Sequence, residues 1–260
     1  MKKYLLLPVL FILFTAAFIS SCTKEYSASG VAKAPKEDSF NLTVNFTPMA
    51  DTLKLHFDST YKNFWDEEYS VSAFKFYVSH FNLINTDSGR VYHLDSTKYF
   101  LVDASDSVTW AVKLLAVPFT YNRISFLIGI DSAHNVSGVD TGALDPKKGM
   151  YISASAGYIM AKLEGRSQGG NAFNYDISGF SGDNNVLRTP VLLFPFGNYL
   201  QITAGRKSII NVNADANAWF FNQHQIKIED TPSCTSPGLL AKDISENYSK
   251  MFTVDTVINN

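Results

Sequence analysis

The chain has 260 residues, 46% hydrophobic and 14% aromatic, with 22 Lys+Arg against 24 Asp+Glu and a formal charge of −2. No basic stripe marks a nucleic-acid surface. The length suits one β-rich domain, or a tightly joined pair, that rests on its own hydrophobic core.

Taken in order, the chain opens with Lys2 and Lys3, an apolar run from Tyr4 to Ile19, and then Ile19-Ser20-Ser21-Cys22. Small residues before a cysteine at the end of an apolar run fit a bacterial lipobox, so residues 1–22 read as a lipoprotein signal peptide. Cys22 is then the lipidated first residue, and the chain is tied to the membrane by its N-terminal lipid. The expected location is the cell envelope, at the outer membrane, on its periplasmic or surface face. Without Lys2 and Lys3, 20 basic residues face 24 acidic ones, a net charge of −4. Cys234 is the other cysteine, and with Cys22 lipidated it has no disulfide partner. Residues 23–40, small and polar, read as a flexible tether, and residues 41–260 as the folded domain.

From Asn41 the pattern has period two. Leu42, Val44 and Phe46 alternate with polar residues, as do Leu53, Leu55 and Phe57, which predicts two half-buried strands. Asp58 to Tyr69 reads as an aromatic loop. Val71 to Ile84 predicts a long strand with a bulge near His80. Tyr99–Val102 and Val108–Val112 flank a polar pentapeptide and read as a hairpin or a loop-linked pair. Arg123–Ile130 enters a glycine-punctuated loop, and Tyr151–Leu163 leaves it. Phe173–Phe180, Val186–Phe194 and Ser208–Val212 add strands. Asp215 suits the N-cap of a short helix. Leu240, Ile244, Tyr248 and Met251 share one face of a helix predicted over Pro237–Phe252, with Ser236 as its cap. Many short strands and few helices predict an all-β fold, an antiparallel β-sandwich with long loops and a short C-terminal helix.

No GxSxG, HExxH, P-loop or CxxC motif is present, so nothing points to an enzyme. Cys234 has no histidine beside it in sequence and reads as a packed or surface thiol. Glu164 and Asp176 have no spacing that argues for hydrolysis. In the central loop Asp131, Asn135, Asp140 and Asp145 offer four side-chain oxygens, a donor set that suits a hard cation such as calcium; linked Asx-turns are the other reading. Trp65, Trp110 and Trp219 are candidate platforms for a glycan, set against burial in the core.

The loop also carries a resemblance. Its sequence, Gly129-Ile130-Asp131-Ser132 with Asn135, Ser137-Gly138 and Asp140-Thr141-Gly142-Ala143-Leu144-Asp145-Pro146, then Gly149-Met150 and Ser155-Ala156-Gly157-Tyr158-Ile159-Met160-Ala161-Lys162-Leu163-Glu164-Gly165, resembles the MbnP-like family of periplasmic or surface copper-binding proteins. Phe74–Leu83 and Glu246–Asp255 resemble further segments of that family. The resemblance implies a copper site of two histidines and an oxidised tryptophan near this loop, with a di-haem partner enzyme to oxidise the tryptophan. The two tryptophan positions after Gly149-Met150 hold Ile152 and Ala154 here. Asp176 stands where the family carries a histidine, and Val254–Asn259 replaces a histidine-bearing C-terminus. Copper favours imidazole, so the expectation is a non-enzymatic lipoprotein whose copper site is degenerate. The alternatives are a functional copper or calcium site with a re-sited ligand set, His134 and Met150 being the copper candidates, or a surface lipoprotein that contacts a glycan or protein partner. His56, His80, His93, His134 and His224 show no metal-ligand spacing in the sequence.

Overall fold

The computed structural model describes residues 40–136 and 140–260; the signal peptide, Cys22 and the tether up to residue 39 lie outside the described residues. Strands β1 (Leu42–Ala50), β2 (Leu53–Lys54) and β3 (Thr60–Lys62) lead to the long β4 (Glu68–Asn85). β5 (Arg90–His93), β6 (Tyr99–Asp103), β7 (Ala111–Leu114), β8 (Phe119–Tyr121) and β9 (Arg123–Ile128) follow. A single helical turn, α1 (Ser132–Asn135), opens the central loop. β10 (Tyr151–Ser153), β11 (Gly157–Ser167), β12 (Ala172–Ser178), β13 (Val191–Leu193), β14 (Leu200–Ile202), β15 (Ser208–Asp215) and β16 (Ser233–Cys234) precede α2 (Leu239–Tyr248) and β17 (Phe252–Ile258).

The strands form two main layers. One sheet runs β17-β15-β1-β2, with β7 also on β1. The other is organised on β4, which bonds β11 and β9 along one edge and β3, β6 and β5 along the other. The layers meet through phenylalanine. Phe46 of β1 touches Phe76 and Phe81 of β4, Phe126 of β9 and Phe252 of β17, with ring centroids 5.4–6.5 Å apart and mostly edge-on. All five rings are at most 4% exposed. Full burial of each such ring stabilises the fold by roughly 1.5–3 kcal/mol, so this cluster fixes one sheet against the other. The domain is the β-sandwich that the period-two pattern predicted.

Several elements differ from the sequence reading, each for a physical reason. β1 and β15 pair in parallel, as do β12 and β16, so the sandwich is not purely antiparallel. Strand pairing across a sequence separation this long leaves no local signal. The aromatic loop after residue 58 is instead the β3–β4 hairpin. The segments around residues 100 and 112 do not form a hairpin: β6 joins β4, while β7 joins β1 in the other sheet. β13 keeps only Val191–Leu193 of the longer predicted strand. The C-terminal helix begins at Leu239, with Gly238 at the cap, and ends at Tyr248. Residues from Phe252 form β17, whose mostly exposed alternation carries little hydrophobic signal.

Candidate metal centre

β4 positions the first residue. Buried residues along it are odd-numbered at Tyr69 and Val71, even-numbered at Phe74 and Phe76, on both faces from Phe76 to Ser79, and odd-numbered again from Phe81. The second switch coincides with a register shift against β9 between Ser79 and Asn82. There His80 takes φ 49°, a left-handed conformation that a side chain adopts only at a cost of about 1–3 kcal/mol. A bulge of this kind re-aims a side chain, and it lies where the sequence predicts it.

The other residues arrive from the flanking strands. Ser79 pairs with Tyr99 of β6 on one edge and with Leu127 of β9 on the other. Asp131 follows β9 and caps α1, its Oδ1 accepting from Ala133 N at 2.9 Å and His134 N at 3.2 Å. The same carboxylate gathers the side chains. His134 Nδ1 lies 3.1 Å from Asp131 Oδ2, and His80 Nε2 lies 3.6 Å from it. The Tyr99 hydroxyl donates to Asp131 Oδ2 and stands 2.7 Å from His134 Nδ1. All four residues are partly exposed at the rim of the sheet.

Hydrogen bonds set the tautomer of His80. The Ser79 hydroxyl donates its one proton to Gly129 O at 3.1 Å, so it accepts from His80 Nδ1–H at 3.0 Å. In the neutral ring the lone pair is then on Nε2, the nitrogen that faces Asp131. This is the arrangement metal-binding histidines adopt, one nitrogen donating to a fixed oxygen and the other kept for the ion. Burial raises the Asp131 pKa, but the Tyr99 hydroxyl and His134 outweigh it and leave the carboxyl below its usual range. Burial and the Asp131 charge push the Tyr99 phenol above its ordinary value. The two imidazole nitrogens that face Asp131 do not come within 4.8 Å of each other. An ion ~2.0 Å from each would hold them within ~4 Å. Loading the site therefore requires the two rings to close on the ion. It also requires His134 Nδ1, which donates to Tyr99 and Asp131 in the neutral ring, to give up its proton.

The loop beyond is ordered from beneath. Tyr77 of β4 and Tyr158 of β11 pack edge to face and donate to Ala143 O and Leu144 O, each at 3.0 Å. Asn135 is 1% exposed, accepts from Tyr158 N at 2.8 Å and donates to Ile130 O at 3.4 Å. Gly157 has φ +73°, and a Cβ there would lie 1.8 Å from Asn135 Oδ1.

Against this geometry, the sequence-predicted residues separate. His134 and Asp131 come together, and His80 and Tyr99 join them. Met150 is fully buried in the core. Of the four loop oxygens proposed for a hard cation, the Asn135 oxygen is held by Tyr158 N, Asp140 accepts from Thr141 N at 2.7 Å, and Asp145 caps Lys147 N at 2.9 Å. Among the described residues Asp131, Asp140 and Asp145 do not gather into one cluster. Trp219 is fully buried, while Trp65 and Trp110 donate to Phe220 O and Asp103 O and lie under Lys227 and Lys54. Cys234 is buried, which with Asp176 nearby raises its thiol to about 11. Glu164 and Asp176 do meet in space, but Lys162 lies between them at 2.5 and 2.6 Å. Cys22 lies outside the described residues. His80 and Tyr99 were missed as site residues. The one local signal was the expected bulge, because their partners are 51 and 32 residues away in sequence.

The domain is thus a two-layer β protein with a pair of imidazoles on one carboxylate at the rim of its larger sheet. The chain belongs to the MbnP family, whose model matches residues 39–236. Among solved structures it is similar to MbnP from Methylosinus trichosporium, at 13% identity over 74% of this chain and 82% of that one, with a TM-score of 0.48. A search of curated proteins finds no match.

Proposed function

We propose that this chain is a non-enzymatic, lipid-anchored protein of the bacterial cell envelope that holds one copper ion at His80 and His134, with Asp131 beside them. The observation that carries the reading is the convergence of both imidazoles on one carboxylate, with His80 Nδ1 committed to Ser79. Two imidazoles and a carboxylate suit copper or zinc far better than calcium. Family membership supports copper. The anchor rests on the lipobox pattern that ends at Cys22.

In this reading the family's own ligand positions are replaced and a re-sited pair of imidazoles takes their place. Ile152 and Ala154 fill the tryptophan positions, so no oxidised tryptophan ligand forms and a di-haem partner has no substrate here. His80 and His134 form the re-sited pair, and Tyr99 stands against both. His80 and His134 bind the ion, Ser79 and Tyr99 orient the rings, and Asp131 supplies negative charge. The experiment is elemental analysis of the mature chain from residue 23, titrated with Cu(I), Cu(II) and Ca²⁺. The expected result is one tightly held equivalent of copper, weakened by His80→Ala or His134→Ala alone and lost when both are substituted. Copper uptake unchanged by both substitutions, or uptake of calcium alone, overturns the reading.

A further inference from the structure

Away from that centre, a second cluster joins His224 to two carboxylates of α2. We propose that His224 Nδ1 and Asp243 form a site for a divalent first-row cation of the zinc class, with Glu246 holding the imidazole in place.

Among the described residues, His224, Asp243 and Glu246 are the group of three such side chains with ligand atoms all within 4.8 Å of one another. Asp243 and Glu246 are three residues apart and share a face of α2. Both lie beyond residues 39–236, the range that the family model matches. The imidazole has two different neighbours. Nε2 is 2.7 Å from Glu246 Oε2, a direct hydrogen bond. Nδ1 is 3.6 Å from Asp243 Oδ1, too far for a hydrogen bond. With Nε2–H donated to Glu246, the neutral ring keeps its lone pair on Nδ1, facing that gap. A tetrahedral cation ~2.1 Å from a nitrogen and an oxygen separates them by ~3.4 Å, close to the gap observed. The chain carboxylate–histidine–ion is a recurrent way to orient a metal-binding imidazole.

The ligands are also held from outside the cluster. Asn247 is fully buried; its Oδ1 accepts from His224 N at 2.9 Å and its Nδ2 donates to His224 O at 2.8 Å. The backbone of His224 is thereby fixed to the helix that carries both carboxylates. Arg188, which donates to Asn185 O and Leu187 O, reaches Glu246 Oε1 at 3.4 Å and leaves Oε2 for the histidine. The three side chains are 26–32% exposed, so an ion can enter from solvent. Two protein donors leave the remaining positions to water.

The test is a Co²⁺ titration at pH 7.5 of the mature chain carrying His80→Ala and His134→Ala, which removes the first centre. The expected result is one equivalent of Co²⁺ with tetrahedral visible bands, displaced by Zn²⁺. Asp243→Asn and His224→Ala abolish it, and Glu246→Gln retains the stoichiometry with at least tenfold weaker binding and altered bands. Should the double substitution impair folding, histidine NMR of the native chain reads the same site through a Zn²⁺-dependent shift of the His224 ring signals. No cobalt or zinc uptake by a folded chain leaves His224 as a charge clamp on α2 and overturns the proposal. Uptake indifferent to Asp243→Asn overturns it equally. Copper uptake at His80 and His134 is unaffected by either result.

Discussion

Asn135→Ala separates two roles for the central loop. Asn135 is 1% exposed, and its side chain accepts from Tyr158 N at 2.8 Å and donates to Ile130 O at 3.4 Å and, more weakly, to Met160 Sδ at 3.9 Å. Truncation leaves a buried N–H unpaired, at about 1–3 kcal/mol, and removes a second bond of about 0.5–1.5 kcal/mol. The expected loss is about 2–4 kcal/mol. For a domain of this size each kcal/mol moves the Tm by about 2–4 °C, so a fall of roughly 4–16 °C follows. The assay is thermal unfolding followed by circular dichroism, in EDTA and in millimolar Ca²⁺. As a clamp, Asn135 gives the same deficit in both buffers. A Tm within a degree of the native chain in EDTA refutes the clamp, and a deficit that appears only with Ca²⁺ makes Asn135 a cation ligand.

Gly157→Ala attacks the same contact from β11, because a Cβ would meet Asn135 Oδ1 at 1.8 Å on a backbone with φ +73°; unfolding of the single and double variants should give a combined loss well below the sum. Asp103 accepts from Lys75 at 2.9 Å and from Ser105; burial raises its pKa, and these partners lower it further, to a net value below 3.8. Its folded pKa is depressed, so its stabilisation is fully present above pH 3.8 and is lost as pH falls through the lower folded value. Asp103→Asn should therefore be less stable than the native chain at pH 7 in urea unfolding, and the gap should close in acid below the ordinary carboxylate range. Burial pushes the Cys234 thiol to about 11, so in the chain from residue 23 iodoacetamide at pH 8 should modify it slowly when folded and quickly in denaturant; equal rates contradict its packing.

Much of the frame was legible because it is local. The alternation of Leu42, Val44 and Phe46 marks β1, and the parity switches along β4 mark a bulge at His80. The aspartates of the loop act as helix and turn caps. What joins distant segments was not legible. Nothing near Tyr99 or Asp131 announces that β6 and β9 flank β4 at the bulge, yet that pairing builds the centre. Met150 and His134 looked alike as ligand candidates, but one is in the core and the other at the rim. Spacing among the five histidines was uninformative for the same reason, since His80 and His134 come together at Asp131 and Tyr99, residues carried by β4, β6 and the central loop.

The central claim is that His80 and His134 share one ion. Electron paramagnetic resonance of the mature chain loaded with one equivalent of Cu(II) tests it most directly, through the hyperfine splitting from coordinated imidazole nitrogen. Two equivalent nitrogens, reduced to one in either His80→Ala or His134→Ala, is the predicted result. A spectrum with a single nitrogen in the native chain, or one that neither substitution changes, contradicts the account.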